Sequence, residues 1–217
     1  MEGIRFSWLF GGLLLLLLLV PLLHSGGVET SAALEGALTS LLLVGAWGLR
    51  TIPRWFFVAL GLATVNLVAI ALFLWSGDLL WSFLSVASLL AFCVLSAIVA
   101  IRFILAHSTI DMNHLIGALS VYLLLGVIWA LLFELLRLFD ADALLNVAGA
   151  PGQPGASGEL LYFSYVTLTT VGYGDVSPSS PLARSLAVLE AVVGQLFLAV
   201  LIASLIGRIG RPATKIG

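Results

Sequence analysis

Charged residues are scarce in this chain of 217 residues, because Asp, Glu, Lys and Arg together make up only 9% of it. A soluble globular domain carries about a quarter charged residues, so this composition excludes one. The nine basic and eleven acidic residues nearly cancel to a net charge of −2, which leaves no basic surface for DNA or RNA. The single cysteine, Cys93, excludes an internal disulfide framework.

Apolar residues dominate instead. They make up 61% of the sequence, and the mean hydropathy is +1.19, which is typical of an integral membrane protein. A helix needs about 20 predominantly apolar residues to cross the bilayer. The runs that approach this length are 6–23, 31–49, 55–75, 79–101, 115–139 and 182–207. Because these runs are apolar on all sides and do not alternate, they predict an all-α membrane protein with six transmembrane helices, not a β-barrel.

The connecting segments predict the orientation of these helices. With the N-terminus in the cytoplasm, seven of the nine basic residues lie in cytoplasmic segments, and only Arg137 and Arg184 lie outside. This distribution follows the positive-inside rule, so we expect both termini to be cytoplasmic and the protein to reside in the plasma membrane. The first run has an alternative interpretation as a signal peptide, but no small-residue cleavage site follows it.

The segment between the fifth and sixth runs differs from the rest of the chain. A loop rich in Gly, Pro and Ala, 146–158, precedes an apolar stretch, 159–168, which is long enough to reach about halfway through a bilayer. Glycine-containing backbone follows. Non-helical backbone at membrane depth occurs only where it lines a water-filled cavity or is buried in protein. The sequence therefore predicts a re-entrant pore loop, with a pore helix at 159–169 and pore-lining backbone at 170–175.

The end of this pore loop, residues 167–175, reads Thr-Leu-Thr-Thr-Val-Gly-Tyr-Gly-Asp. We call residues 169–175 the signature loop. It resembles the selectivity filter of the potassium channel family, in which backbone carbonyls replace the hydration shell of K⁺. Glycine takes positive φ angles freely, and such angles are needed to aim successive carbonyls along one axis. The resemblance implies a filter made of Thr170, Val171, Gly172, Tyr173 and Gly174, with K⁺ bound by the first four.

The resemblance also assigns supporting roles around the filter. Thr169 and Asp175 flank the ion sites, and the side chains of Val171 and Tyr173 are expected to brace the loop against the pore helix. Where the family often has a tryptophan pair, this chain has Tyr162 and Phe163. Because Phe163 has no donor group, we expect Asp175 to lack the hydrogen bond that the second tryptophan usually donates to it. Val166 likewise replaces a carboxylate found in some members.

Four residues of the last apolar run are candidates for gating and cavity roles. Gly194 matches the glycine often assigned as a gating hinge in this family, and the alternative is a glycine that only permits close helix packing. Gln195, Leu198 and Ile202 share one helix face and are expected to line the water-filled cavity.

Glu190 lies within the same run, and an intramembrane carboxylate is by default a functional residue. We expect it to support the pore loop from behind, with Ser164, Tyr165 or Thr167 as its partner.

These assignments divide the chain into an N-terminal transmembrane region, 1–106, a cytoplasmic linker, 107–114, and a pore domain, 115–210. The pore domain contains an outer helix at 115–139 and an inner helix at 182–207. The fourth apolar run contains no charged residue, so arginine-based voltage sensing is not expected. In the linker, His107 and His114 are interpreted as solvated residues, with proton sensing as the alternative.

The sequence thus predicts a passive, potassium-selective channel subunit and no enzyme. One chain carries one signature and a filter of this family uses four, so the resemblance implies a homotetramer embedded in lipid. The sequence has no nucleotide-binding loop and no metal-ligand cluster, so no cofactor is expected besides the permeant K⁺. One alternative is a potassium uptake transporter subunit, against which the single re-entrant segment argues. The other is a non-conducting regulatory subunit, against which the intact signature argues.

Overall fold

The structure is a computed structural model that describes residues 6–24, 53–106, 112–147 and 156–209. These residues form six α-helices and one antiparallel pair of short strands. In chain order they are α1 (Ser7–His24), α2 (Pro53–Ser76), α3 (Leu79–Ala106), α4 (Met112–Phe139), β1 (Leu144–Leu145), α5 (Ala156–Leu168), β2 (Ser177–Pro178) and α6 (Pro181–Ile209). The predicted run 31–49 lies outside the described residues.

Four of the described helices are long and apolar enough to cross a membrane. Their spanning segments are Trp55–Ser76, Leu79–Ile104, Met112–Phe139 and Pro181–Ser204. By contrast, α5 has 13 residues and is therefore about 20 Å long, too short for a hydrocarbon core of about 30 Å. The prediction of an all-α membrane protein is confirmed at this level, and the count of six spans stays a prediction.

Helix boundaries differ from the predicted ones in all three helices of the pore domain. The outer helix α4 begins at Met112, inside the predicted linker, because its first turn is packed: His114 is buried and stacks on Phe103 with ring centroids 5.5 Å apart. The interpretation of His114 as a solvated residue was therefore wrong. The pore helix α5 begins at Ala156 and ends at Leu168, one residue early, because Thr169 and Thr170 form a turn. The inner helix α6 extends to Ile209.

The outer helix α4 organises the packing around the pore loop. It packs against α1, α3, α5 and α6. A core cluster of buried apolar residues joins α1, α2, α3 and α4 to Leu161 of α5, and Tyr165 packs against it. A second cluster surrounds Phe163 of α5, whose ring meets that of Phe133 edge-on at 5.0 Å. The short pore helix is therefore held from behind by the apolar surface of α4.

Candidate functional site: the signature loop and its supports

Backbone angles in the signature loop alternate in hand. Thr170, Gly172 and Gly174 have φ angles of 58°, 60° and 79°, and the two residues between them do not have positive φ. Both glycines were predicted to adopt such angles, and Thr170 was not. A Cβ atom at either glycine would meet nothing within 4 Å, so their requirement is conformational and not steric. The alternation is the geometry that aims successive carbonyls in one direction.

The loop begins directly on the C-terminal end of α5. The amides of Val171 and Gly172 both donate to the carbonyl of Val166, at 2.9 and 3.3 Å, and the amide of Thr170 donates to Thr167 at 2.9 Å. These bonds satisfy carbonyls that the last turn of a helix leaves without partners. The path of the loop is therefore set by the end of the pore helix.

Asp175, at the far end of the loop, has a hydrogen-bond donor that sequence reasoning missed. The hydroxyl of Tyr162 donates to Oδ2 of Asp175 at 2.7 Å, so this carboxylate has a donor although Phe163 cannot supply one. The donor sits one residue earlier than expected, and the aromatic ring before Phe163 was its signal in the sequence. This bond lowers the pKa of Asp175 below its ordinary value of 3.8, and it raises the pKa of Tyr162 to about 12.

A short strap ties the residues after α4 to the residues after the signature loop. Strands β1 and β2 pair Leu144 with Pro178 and Leu145 with Ser177. The side-chain amide of Asn146 donates to the backbone carbonyl of Asp175 at 2.8 Å. Asn146 has a φ of 62°, and asparagine is among the residues that tolerate this conformation best. The last residue of the loop is thus held by its side chain and its backbone, from two different elements.

The pore helix is also fastened to α4 by two consecutive residues. The hydroxyl of Tyr165 donates to the carbonyl of Leu123 at 2.8 Å, and the hydroxyl of Ser164 lies 2.7 Å from the carbonyl of Gly126. A Cβ atom at Gly126 would lie 2.4 Å from the Tyr165 ring, so only glycine leaves room for that ring. These contacts fix the depth of α5 along α4.

Three of the candidate residues on the inner helix α6 meet the pore loop. Gly194 lies so close to the end of α5 that a Cβ atom there would be 2.4 Å from the carbonyl oxygen of Leu168. Glu190 is fully buried, and its Oε1 lies 2.5 Å from Oγ of Ser164, one of the expected partners. Nε2 of Gln195 donates to Oγ1 of Thr170 at 3.3 Å. The geometry at Gly194 is that of close packing, and its hinge role stays a prediction.

The remaining candidates are largely uncovered within a single chain. Val171 and Tyr173 expose 52% and 72% of their surface. The Tyr173 ring lies parallel to that of Tyr162 with centroids 6.5 Å apart, and Val171 stays half exposed among the residues that the structure describes. Further along α6, Leu198 is half-buried and Ile202 is exposed.

Comparison with known proteins concerns this same part of the chain. Residues 117–211 match the profile of a family described as "Ion channel". An 85-residue segment is 36% identical to the inward rectifier potassium channel Kirbac3.1 of Paramagnetospirillum magnetotacticum, covering 39% of this chain and 27% of the relative. This part of the chain is therefore similar to ion channels, and to a potassium channel in particular. No solved structure matches the chain significantly.

Within the matched region 117–211 lie nearly all of α4, the pore helix, the signature loop and α6. Helices α1, α2 and α3 lie outside it. The chain spans about a quarter of the length of the relative that it matches. The strap, the pore-helix anchors and the contacts of α6 described above are therefore all features of the matched region.

Proposed function

We propose that this protein is a subunit of a potassium-selective channel in which the signature loops of four identical chains line one pore. The observation that carries the proposal is the alternation of backbone hand at Thr170, Gly172 and Gly174, at the end of a helix too short to cross the membrane. The match of residues 117–211 to the family described as "Ion channel" and the likeness to an inward rectifier potassium channel support it.

The proposed ion sites consist of neutral oxygen atoms. The carbonyls of Thr170, Val171, Gly172 and Tyr173 would replace the water around K⁺, and the Thr170 hydroxyl would complete the innermost site. Such oxygens bind a desolvated cation without a fixed charge, so the ion can also leave. The α5 helix ends at this loop, and the partial negative charge at a helix C-terminus favours a cation there.

Four copies are proposed because a single chain leaves side chains of its own signature loop exposed. Val171 and Tyr173 are mostly exposed in the single chain, as is much of the apolar surface of α6. The exposed apolar residues on α6 include Val188, Leu189, Val192, Leu196, Val200 and Ile202. A closed ring of identical chains would bury the loop side chains and enclose the carbonyls on an axis.

Conduction in this proposal is passive, with both termini in the cytoplasm and the pore in the plasma membrane. Voltage sensing by α3 is not proposed, because Arg102 is its single charged residue. Steep voltage dependence requires several gating charges that cross the field.

Flux through liposomes containing the purified full-length protein tests the proposal. We expect K⁺ flux at rates above transporter turnover, blocked by barium, with little Na⁺ flux. Gly172→Ala should abolish flux, because alanine disfavours the positive φ angle of this position. The added Cβ atom would meet nothing within 4 Å, so the variant tests the backbone conformation and not a steric clash. Gly61→Ala is the matched control, since Gly61 lies on α2 with open space around it and should leave flux unchanged.

Each alternative function predicts a different result in the same assay. Equal Na⁺ and K⁺ flux would contradict the proposed selectivity. Flux limited to transporter turnover would indicate an uptake transporter subunit, and no flux from an intact tetramer would indicate a regulatory subunit. Native mass measurement of the detergent-solubilised protein tests the tetramer separately, with a monomer or dimer as the contradicting result.

A further inference from the structure

Glu190 lies in surroundings that disfavour a charged carboxyl group. Its side chain is completely buried in the middle of α6. Oε1 contacts Ser164, and Oε2 has no hydrogen-bond partner among the residues that the structure describes. Within those residues no basic side chain offsets its charge. An ionised carboxylate without a counter-charge is among the costliest groups to bury in a membrane protein.

The hydrogen atoms around Ser164 can be counted. Oγ of Ser164 lies 2.5 Å from Oε1 of Glu190 and 2.7 Å from the carbonyl oxygen of Gly126. A serine hydroxyl carries one hydrogen, and both a backbone carbonyl and an ionised carboxylate only accept hydrogen bonds. With an ionised Glu190, one of the two contacts would bring two acceptors together without a hydrogen between them. Both contacts are hydrogen bonds only if Glu190 carries a proton.

We propose that Glu190 is a neutral carboxylic acid that donates a hydrogen bond to Ser164, while Ser164 donates its own hydrogen to the Gly126 carbonyl. The resulting relay runs from α6 through α5 to α4. It connects the three helices at one point. Each hydrogen bond in it is donated in the same direction along the relay, so no ion pair is needed. Glu190 is in this sense a positioning residue, which contacts neither the proposed ion path nor its carbonyls.

The relay lies about one helical turn from Gly194, where α6 packs closely against the end of α5. Glu190 precedes Gly194 by four residues, and Gly194 lies against the carbonyl of Leu168 at the end of the pore helix. Holding Ser164 to both neighbouring helices keeps this end of α5 at the depth from which the signature loop starts. The effect of the relay on conduction rests on the proposed channel function, whereas its protonation state does not.

Ionisable groups lie on all three of the helices that meet at Ser164. Tyr122 of α4 donates its hydroxyl hydrogen to the carbonyl of Leu168, and Tyr165 of α5 donates its own to the carbonyl of Leu123. Glu134 and Arg137 lie on α4, where both are buried, Glu159 lies in the first turn of α5, and Arg184 lies near the start of α6. Within the described residues, Ser164 is the one hydrogen-bond partner of the Glu190 carboxyl group.

Infrared difference spectroscopy on the purified full-length protein at neutral pH tests the protonation state. The spectrum of wild type minus Glu190→Gln should contain the carbonyl-stretch band of a protonated carboxylic acid. As the control, wild type minus Asp175→Asn should contain carboxylate bands, because the pKa of Asp175 is lowered. A carboxylate band in the Glu190 difference spectrum would overturn the proposal.

Ser164→Ala gives a second readout that keeps Glu190 in place. Loss of the acceptor should move the acid band to higher frequency, as expected for a carboxylic acid that no longer donates a hydrogen bond. This shift decides the question even if Glu190→Gln does not fold, and an unmoved band would contradict the relay.

Measurements of K⁺ flux distinguish a hydrogen-bond donor at position 190 from a charged group there. A glutamine amide can donate to Ser164 in place of the acid, so Glu190→Gln should keep K⁺ flux near the wild-type level. Glu190→Leu has no donor and should lose most of the flux. Equal losses in both variants would overturn the donor role. If neither the wild type nor any variant conducts K⁺, the proposed channel function fails while the infrared result still decides the state of Glu190.

Discussion

The hydroxyl of Tyr162 donates a hydrogen bond to the carboxylate of Asp175 across 2.7 Å, from the middle of the pore helix to the last residue of the signature loop. The bond closes the loop against the helix from which it starts. It also replaces the donor that Phe163 cannot supply. Asp175 therefore has a partner although the sequence departs from the tryptophan pair of the family.

Removing the Tyr162 hydroxyl should destabilise the conducting form of the loop. We expect Tyr162→Phe to inactivate several-fold faster than wild type while keeping its preference for K⁺ over Na⁺, because the carbonyls are unchanged. Tyr162→Trp has a ring N–H donor and should therefore inactivate at nearly the wild-type rate. Current decay in planar bilayers measures both variants, and a Tyr162→Phe channel with wild-type decay would contradict the role of this bond.

The same bond predicts how stability depends on acid pH. The pKa of Asp175 in the folded protein lies below its ordinary value of 3.8, so its contribution is complete above that value and is lost as the pH falls through the folded pKa. The midpoint of thermal unfolding should thus differ between wild type and Tyr162→Phe at neutral pH, and the two should converge in acid. A difference that persists below the folded pKa would have another cause.

At alkaline pH the dependence of stability on pH has the opposite direction, because the group that titrates is the hydrogen-bond donor, Tyr162. The pKa of Tyr162 is raised from 10.0 to about 12, so its contribution is complete below 10 and is lost as the pH rises through the folded value. Absorbance of the phenolate in wild type minus Tyr162→Phe measures this titration. A Tyr162 that ionises at its ordinary pKa would show that the bond is absent.

Gly194→Ala separates close packing from a hinge. An added Cβ would lie 2.4 Å from the Leu168 carbonyl, a backbone atom that cannot turn aside, so we expect a loss of about 1–3 kcal/mol in stability. Thermal unfolding in detergent measures it, with Gly61→Ala as the control because a Cβ there meets nothing within 4 Å. Unchanged stability with an altered open probability would instead favour the hinge.

The strap predicts a role for Asn146 at the mouth of the loop. Asn146→Asp preserves size and tolerance of positive φ but loses the amide donor to the Asp175 carbonyl. We expect several-fold faster inactivation with unchanged selectivity. Asn146→Gly also lacks the donor and should behave similarly, whereas substitution of the exposed neighbour Leu145 by Val should have little effect. Wild-type decay in Asn146→Asp would show that the strap does not stabilise the loop.

Much of the site was predictable because its geometry is local. The positive φ angles of Gly172 and Gly174 depend on residue type, and the short apolar stretch before them indicates a helix that stops partway. Tyr162 and Asn146 were missed because their contacts join residues 13 and 29 positions apart. Neither residue lies in a local sequence pattern that indicates its hydrogen-bond partner. The prediction that His114 is solvated was wrong for the same reason, since its burial depends on Phe103 of another helix.

The sequence by itself determined that this is an all-α membrane protein with a short apolar helix and a glycine-containing loop after it, because hydrophobic length and glycine placement act within single segments. Only the tertiary structure decided what holds that loop. The donor to Asp175, the fit of Gly194 against Leu168 and the sharing of Ser164 between Glu190 and Gly126 all require helices to meet at a particular depth. That depth results from side-chain packing across α4, α5 and α6, and no single segment encodes it.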